Sequence, residues 1–135
     1  MSEPIRALDR LLREMAPELQ PGVYAYVSLP LQPSPPWSLA VATIREAEGW
    51  SLIVDEAEAR ARQWPIHARC AWISLRVHSD LHAVGLTAAV AQALAAAGIA
   101  CNVVAGALHD HLFVPVEQAE LALGILRGLG RQADS

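Results

Sequence analysis

Between Leu81 and Leu108 the chain carries no Asp, Glu, Lys or Arg, and Gly98 splits that stretch into two periods. Before Gly98, Leu86, Val90, Ala93, Leu94 and Ala97 recur at three- and four-residue steps, one face of a helix over about 83–97. After it, Ile99, Cys101 and Val103 alternate with Ala100, Asn102 and Val104, a strand over 99–105. Upstream, Ala71, Ile73, Leu75 and Val77 alternate with Trp72, Ser74, Arg76 and His78, the clearest strand pattern in the chain. A strand, a polar loop, a helix with Gly85 in its first turn and a second strand therefore follow one another. A membrane span needs about 20 apolar residues, but His82, Thr87, Gln92 and Asn102 interrupt this one, and Gly98 suits the left-handed position after a helix. No membrane segment is expected.

The flanking sequence supplies the rest of a layered α/β arrangement. Ile5, Leu8, Leu11, Leu12 and Met15 give a helix over 4–15, stopped by Pro17 and Pro21-Gly22. Residues 23–29 read as a strand, and the proline-rich 30–37 as a loop. Residues 39–45 and 50–54 flank Glu46-Ala47-Glu48-Gly49, a hairpin whose turn needs the positive φ of glycine. Asp55 is placed to cap a short helix through Gln63. Gly106 to His109 turns the chain into a strand over 110–116, with Asp110 helping to fix the hairpin, and Glu117 to Leu129 forms the last helix. The order predicts an α+β fold of antiparallel sheets with helices on one face, the ferredoxin-like arrangement.

Composition removes several function classes. With a formal net charge of −4 and no basic run, the chain lacks the clustered cations a nucleic-acid surface needs. No phosphate loop, G-x-S-x-G motif or Cys-His-Asp arrangement points to catalysis, so a non-enzyme is expected. Cys70 and Cys101 lack C-x-x-C spacing and read as free thiols, which fits a reducing, cytoplasmic compartment. The charged segment from Met1 to Leu12 does not read as a signal peptide. No cofactor is implied.

The second half resembles ACT domains, small regulatory modules that bind amino acids. The resemblance rests on Trp72-Ile73-Ser74-Leu75-Arg76-Val77, on Val84-Gly85-Leu86, on the helix through Ala93-Leu94-Ala95-Ala96-Ala97-Gly98-Ile99, and on Asp110-His111-Leu112-Phe113-Val114-Pro115. Tyr24-Ala25-Tyr26-Val27-Ser28-Leu29 and Arg45-Glu46-Ala47-Glu48-Gly49 extend it to nearly the whole chain, which is similar to small bacterial stand-alone tandem ACT proteins. It implies two ACT-like halves, residues 1–66 and 67–135. It also implies a regulatory, non-enzymatic protein, a small-molecule partner (an amino acid or related metabolite) and a homodimer. The implied ligand lies near the loop after the first strand of the second half, here 78–85. The sequence departs from the family in having Val84-Gly85 where Pro-Gly is common, and Ala100 where Asn is common, with Asn102 two residues later.

A helix N-terminus beside strand ends can hold an anionic small molecule through backbone N–H groups. The candidate ligand-binding residues are His78, Ser79, Asp80, Val84, Gly85, Leu86, Thr87, Asn102, Val103 and Val104. Gly85 has two readings: room for a ligand at the helix N-terminus, or close packing of that turn. Ser79 and Asp80 read equally as loop and capping residues, and Arg76 as a carboxylate clamp or as cover over an apolar surface. The alternative function is a metal-binding protein or enzyme. His109 and His111 point to one side of a strand, and with His78 and Cys101 could complete a tetrahedral zinc site. A third reading is a structural interaction protein with no ligand.

Overall fold

The computed structural model describes residues 3–76 and 85–134. Its helices are α1 (Glu3–Glu14), α2 (Glu56–Ala61), α3 (Gly85–Ala96) and α4 (Ala119–Asp134). Its strands are β1 (Pro17–Leu19), β2 (Tyr24–Leu29), β3 (Ala40–Arg45), β4 (Trp50–Asp55), β5 (Ile66–Leu75), β6 (Asn102–Ala105) and β7 (Asp110–Pro115). The fold is α+β and ferredoxin-like, and the packing forms two compact units.

One unit is Pro21–Ala71. Its strands lie in the order β3-β4-β2-β5, with antiparallel pairing of β3 to β4, β4 to β2 and β2 to β5. Alternation sends Ala25 and Val27 of β2 and Leu52 and Val54 of β4 to one face, where they enclose Ala59 of α2. α2 begins where the sequence places it: the Asp55 carboxylate accepts from the Ala57 N–H at 2.9 Å, with Glu56 and Glu58 in the first turn.

The β3–β4 hairpin closes through Glu46 N–H to the Gly49 carbonyl at 2.8 Å. Gly49 has φ +157°, and a Cβ there would stand 2.2 Å from the Leu29 carbonyl oxygen. That oxygen belongs to backbone held in β2, so neither partner can move cheaply. Gly49→Ala is therefore expected to cost about 2 kcal/mol or more of stability, as a backbone clash added to an unfavourable φ. Urea unfolding measures it, and a change below about 0.5 kcal/mol, the range of a neutral surface substitution, would show that the turn adapts.

The other unit joins the described residues up to Gln20 with those from Trp72 onward. Its strands lie in the order β1-β5-β7-β6. Counted from β5 as first strand, β1 occupies the place of a fourth strand, and the order is the mirror listing of the order in Pro21–Ala71 counted from β2. β1 pairs with Ile73–Leu75 at the end of β5. Pro17 lacks an N–H and so suits an edge strand. α1 packs on α3 and α4, and Leu12, Met15, Leu86, Val90, Leu94, Ala122 and Leu126 are buried.

Several boundaries differ from the sequence reading. Residues 17–19 form a strand rather than only the stop after α1. β5 starts at Ile66 instead of 71, because Ile66 to Cys70 find partners on β2. The strand expected over 99–105 begins at Asn102, because Ile99 closes α3: its N–H reaches the Leu94 carbonyl at 2.9 Å, with Gly98 at φ +74°. Cys101 thus precedes the strand. Helical backbone over 116–118 turns into α4 at Ala119. By contacts, α1 and β1 belong with the C-terminal residues. Among the described residues no helix is long and apolar enough to cross a membrane.

Candidate ligand site at the start of α3

α3 begins at Gly85 with its apolar stripe, Leu86, Val90 and Leu94, turned to the sheet. The first N–H groups of a helix have no partner within the helix itself. Leu86, Thr87 and Val90 of α3 face Leu75 of β5, Val103 of β6, and Asp110 and Leu112 of β7 across a gap too narrow to admit a water molecule.

Asp110 is the unexpected member of this set. Residues 110, 112 and 114 share the helix-facing side of β7, so the carboxylate stands in line with Leu112 and Val114, both buried. Asp110 is only 8% exposed. Among the described residues no side chain or backbone N–H donates a hydrogen bond to its carboxylate. Its expected role in fixing the hairpin is corrected: the Gly106 N–H donates to the His109 carbonyl at 2.8 Å to close that turn, and the side chain points beneath α3. The alternation was legible in the sequence; the environment on that side was not.

The sequence candidates divide between surroundings. Leu86 and Val103 line the gap, and Thr87 lines it while remaining exposed. Gly85 abuts α1: a Cβ there would meet Leu8 Cδ1 at 3.3 Å, a close approach of two helices. Asn102 and Val104 pair in register with Phe113 and His111, and so lie on the opposite face of the sheet from Val103. His78, Ser79, Asp80 and Val84 lie outside the described residues. Arg76 is engaged, its guanidinium donating to Glu18 at 2.7 Å, and both side chains are exposed.

On that opposite face Trp72 organises an aromatic group. Its Nε1–H donates to His111 Nδ1 at 3.1 Å, and its ring stacks on Phe113 with centroids 6.2 Å apart. His111 therefore accepts through Nδ1 and carries its proton on Nε2 when neutral. Its pKa is lowered, by burial first and by His109 next, with Asp110 opposing. The unfolded chain thus binds a proton at higher pH than the folded chain does. Stability is expected to be full above about pH 6.5, the ordinary histidine value, and to fall as the pH drops through it toward the lower folded value. Urea midpoints between pH 8 and pH 5 test this, with His111→Gln expected to flatten the decline. A decline of equal size in that variant would assign it to other groups.

The metal alternative finds little to build on among the described residues. No three His, Cys, Asp or Glu side chains converge there. Burial pushes the Cys101 thiol up to about 11, away from the thiolate a metal requires, and His111 Nδ1 is already bonded to Trp72.

Comparison with known proteins follows this geometry. Residues 3–71 match a family described as ACT domain, and residues 67–128 match a second family of the same description. A protein of unknown function from Vibrio cholerae, described as a possible transport protein, is 41% identical, with 94% of this chain and 98% of that one covered and a TM-score of 0.83. A protein from Agrobacterium tumefaciens is 18% identical, with coverage of 84% and 87% and a TM-score of 0.71. The ligand-free regulatory subunit of aspartate kinase from Thermus thermophilus is 14% identical, with coverage of 84% and 97% and a TM-score of 0.60. The last two likenesses concern the fold alone. Among curated proteins none matches the chain.

Proposed function

The chain belongs to the ACT-domain family, and from that premise we propose that it binds a free amino acid or a close relative at the start of α3 and catalyses no reaction. Regulatory small-molecule binding is the role of ACT domains; the amino acid and its position are our reading. The observation that carries it is Asp110, a residue only 8% exposed among the apolar side chains beneath the start of α3, whose carboxylate takes no hydrogen bond from the described residues and keeps its contact with solvent. An amino acid offers the complement of both features. Its carboxylate suits backbone N–H groups at the start of α3, and its ammonium suits Asp110. Thr87 stands at the rim to orient it. Because the gap is closed to water in the described state, binding requires α3 and β7 to part. That movement is a means of turning occupancy into a changed surface.

In this reading residues 1–66 and 67–135 are two ACT-like halves, the protein acts in the cytoplasm, and it works as a homodimer whose packing responds to the ligand. The test is a thermal-shift series with the twenty amino acids on wild type and on Asp110→Asn, with calorimetry on any hit. At a hundred times its Kd a ligand stabilises by about 2.7 kcal/mol, several degrees for a chain of this size. A hit lost in Asp110→Asn is the expected result. A hit that survives it unchanged, or a silent screen on folded protein, would remove this reading. Gly85→Leu is a poorer probe, because the Leu8 contact makes it disturb α1 as well as the site.

A further inference from the structure

We propose that the outward face of α4 is the contact between two copies of this chain, laid antiparallel about a two-fold axis at Gly124. It rests on the homodimer of the reading above and names the surface that forms it. Between Glu120 and Arg131, positions 120, 121, 124, 127, 128 and 131 fall on one side of the helix, opposite the buried Ala122 and Leu126. That side stands open among the described residues. Leu121 is 55% exposed, and a Cβ added at Gly124 would meet nothing within 4 Å. At Gly128 it would meet only the Arg131 guanidinium, at 3.9 Å. Glycine weakens a helix interior relative to alanine. Neither of these two takes a positive φ, and neither makes room for another part of the described chain. The hollow they leave beside Leu121 lets a second helix come close.

Charge selects a second copy as the occupant. Glu117, in the turn 116–118 that leads into α4, and Glu120 stand at the start of the helix, Arg127 and Arg131 toward its end. All four side chains belong to exposed residues. None of them holds an ion pair among the described residues, and the two arginines, one turn apart, repel each other. In an antiparallel pair centred on Gly124, residues equally far before and after 124 come level. Leu121 then enters beside Gly124 and Gly128 of the second copy. Glu120 comes level with position 128, between the second copy's Arg127 and Arg131, and Glu117 comes level with its Arg131. The two-fold axis repeats every contact, so one surface complements itself. A parallel pair would instead set acid against acid and arginine against arginine.

Sedimentation equilibrium of the full chain tests this, with circular dichroism to confirm that each variant folds. Wild type is expected to be a dimer. Glu117→Arg/Glu120→Arg and Arg127→Glu/Arg131→Glu are each expected to weaken self-association by about a hundredfold, because like charges then face each other across the axis. Mixed in equal amounts, the two variants are expected to recover the dimer as a heterodimer. Gly124→Gln is a better helix former than the glycine, so the chain keeps its fold; by filling the hollow it is expected to weaken the dimer by about tenfold. A wild-type monomer would overturn the proposal together with the homodimer of the earlier reading. A dimer that survives either charge reversal, or Gly124→Gln, would overturn the proposal alone, because the copies then meet on another face. Reversed variants that stay monomeric when mixed would also overturn it, since the charges then serve only the dipole of their own helix. The amino-acid screen on Asp110→Asn decides the ligand independently.

Discussion

Phe113→Ala is expected to remove about 3–5 kcal/mol of stability, the cost of truncating a large buried aromatic. Phe113 is 1% exposed, and its ring lies against Trp72 at an interplanar angle of 23°. Truncation leaves a hole under the indole, and Trp72 loses the surface that holds its Nε1–H against His111. A domain has about 5–15 kcal/mol in total, so this one change consumes about a fifth of it or more. Urea unfolding followed by circular dichroism should show a much lower midpoint with an unchanged slope. Leu108→Ala is the control: Leu108 is 60% exposed, and its loss should fall within about 0.5 kcal/mol. If the two variants cost the same, Phe113 is not part of the core.

Asp110→Asn is expected to separate function from stability. The substitution keeps the shape of the side chain and removes its charge. Ligand affinity should fall at least thirtyfold, because losing one partner of a buried charge pair costs about 2–5 kcal/mol. The unliganded protein should be as stable as wild type to within about 0.5 kcal/mol, since the substitution keeps the side chain's shape and breaks no hydrogen bond among the described residues. Calorimetry with the amino acid found by thermal shift reads the first effect, and urea midpoints without ligand read the second. Loss of both binding and stability would mean that Asp110 serves the fold, and that the site at α3 needs another explanation.

Much of the fold was legible because its signals are local. Alternation in Ala71–Leu75 and in Ala25–Leu29 marks strands whatever lies beside them. Asp55 caps α2 with its own side chain, two residues from the N–H it accepts. Gly49 and Gly98 sit where positive φ is required. β1 was invisible for the opposite reason. Three residues beginning with a proline carry no pattern, and they become a strand because Ile73–Leu75, far along the chain, offers an open edge. Ile66–Cys70 likewise gain strand conformation from β2 rather than from their own composition.

The candidate site divides along the same line. The sequence by itself determined that a helix with Gly85 in its first turn follows a strand and ends at Gly98, that its apolar stripe includes Leu86, Val90 and Leu94, and that 110, 112 and 114 share a face. Those facts depend only on the periods of helix and strand. Tertiary structure alone decided what each face meets. It set Leu8 against Gly85, turned Asn102 and Val104 away from Val103, and occupied Arg76 with Glu18. It also brought the carboxylate of Asp110 under α3. Periodicity fixes the direction of a side chain relative to its own backbone. The partner on that side comes from residues remote in sequence, and burial, charge compensation and ligand chemistry all depend on that partner.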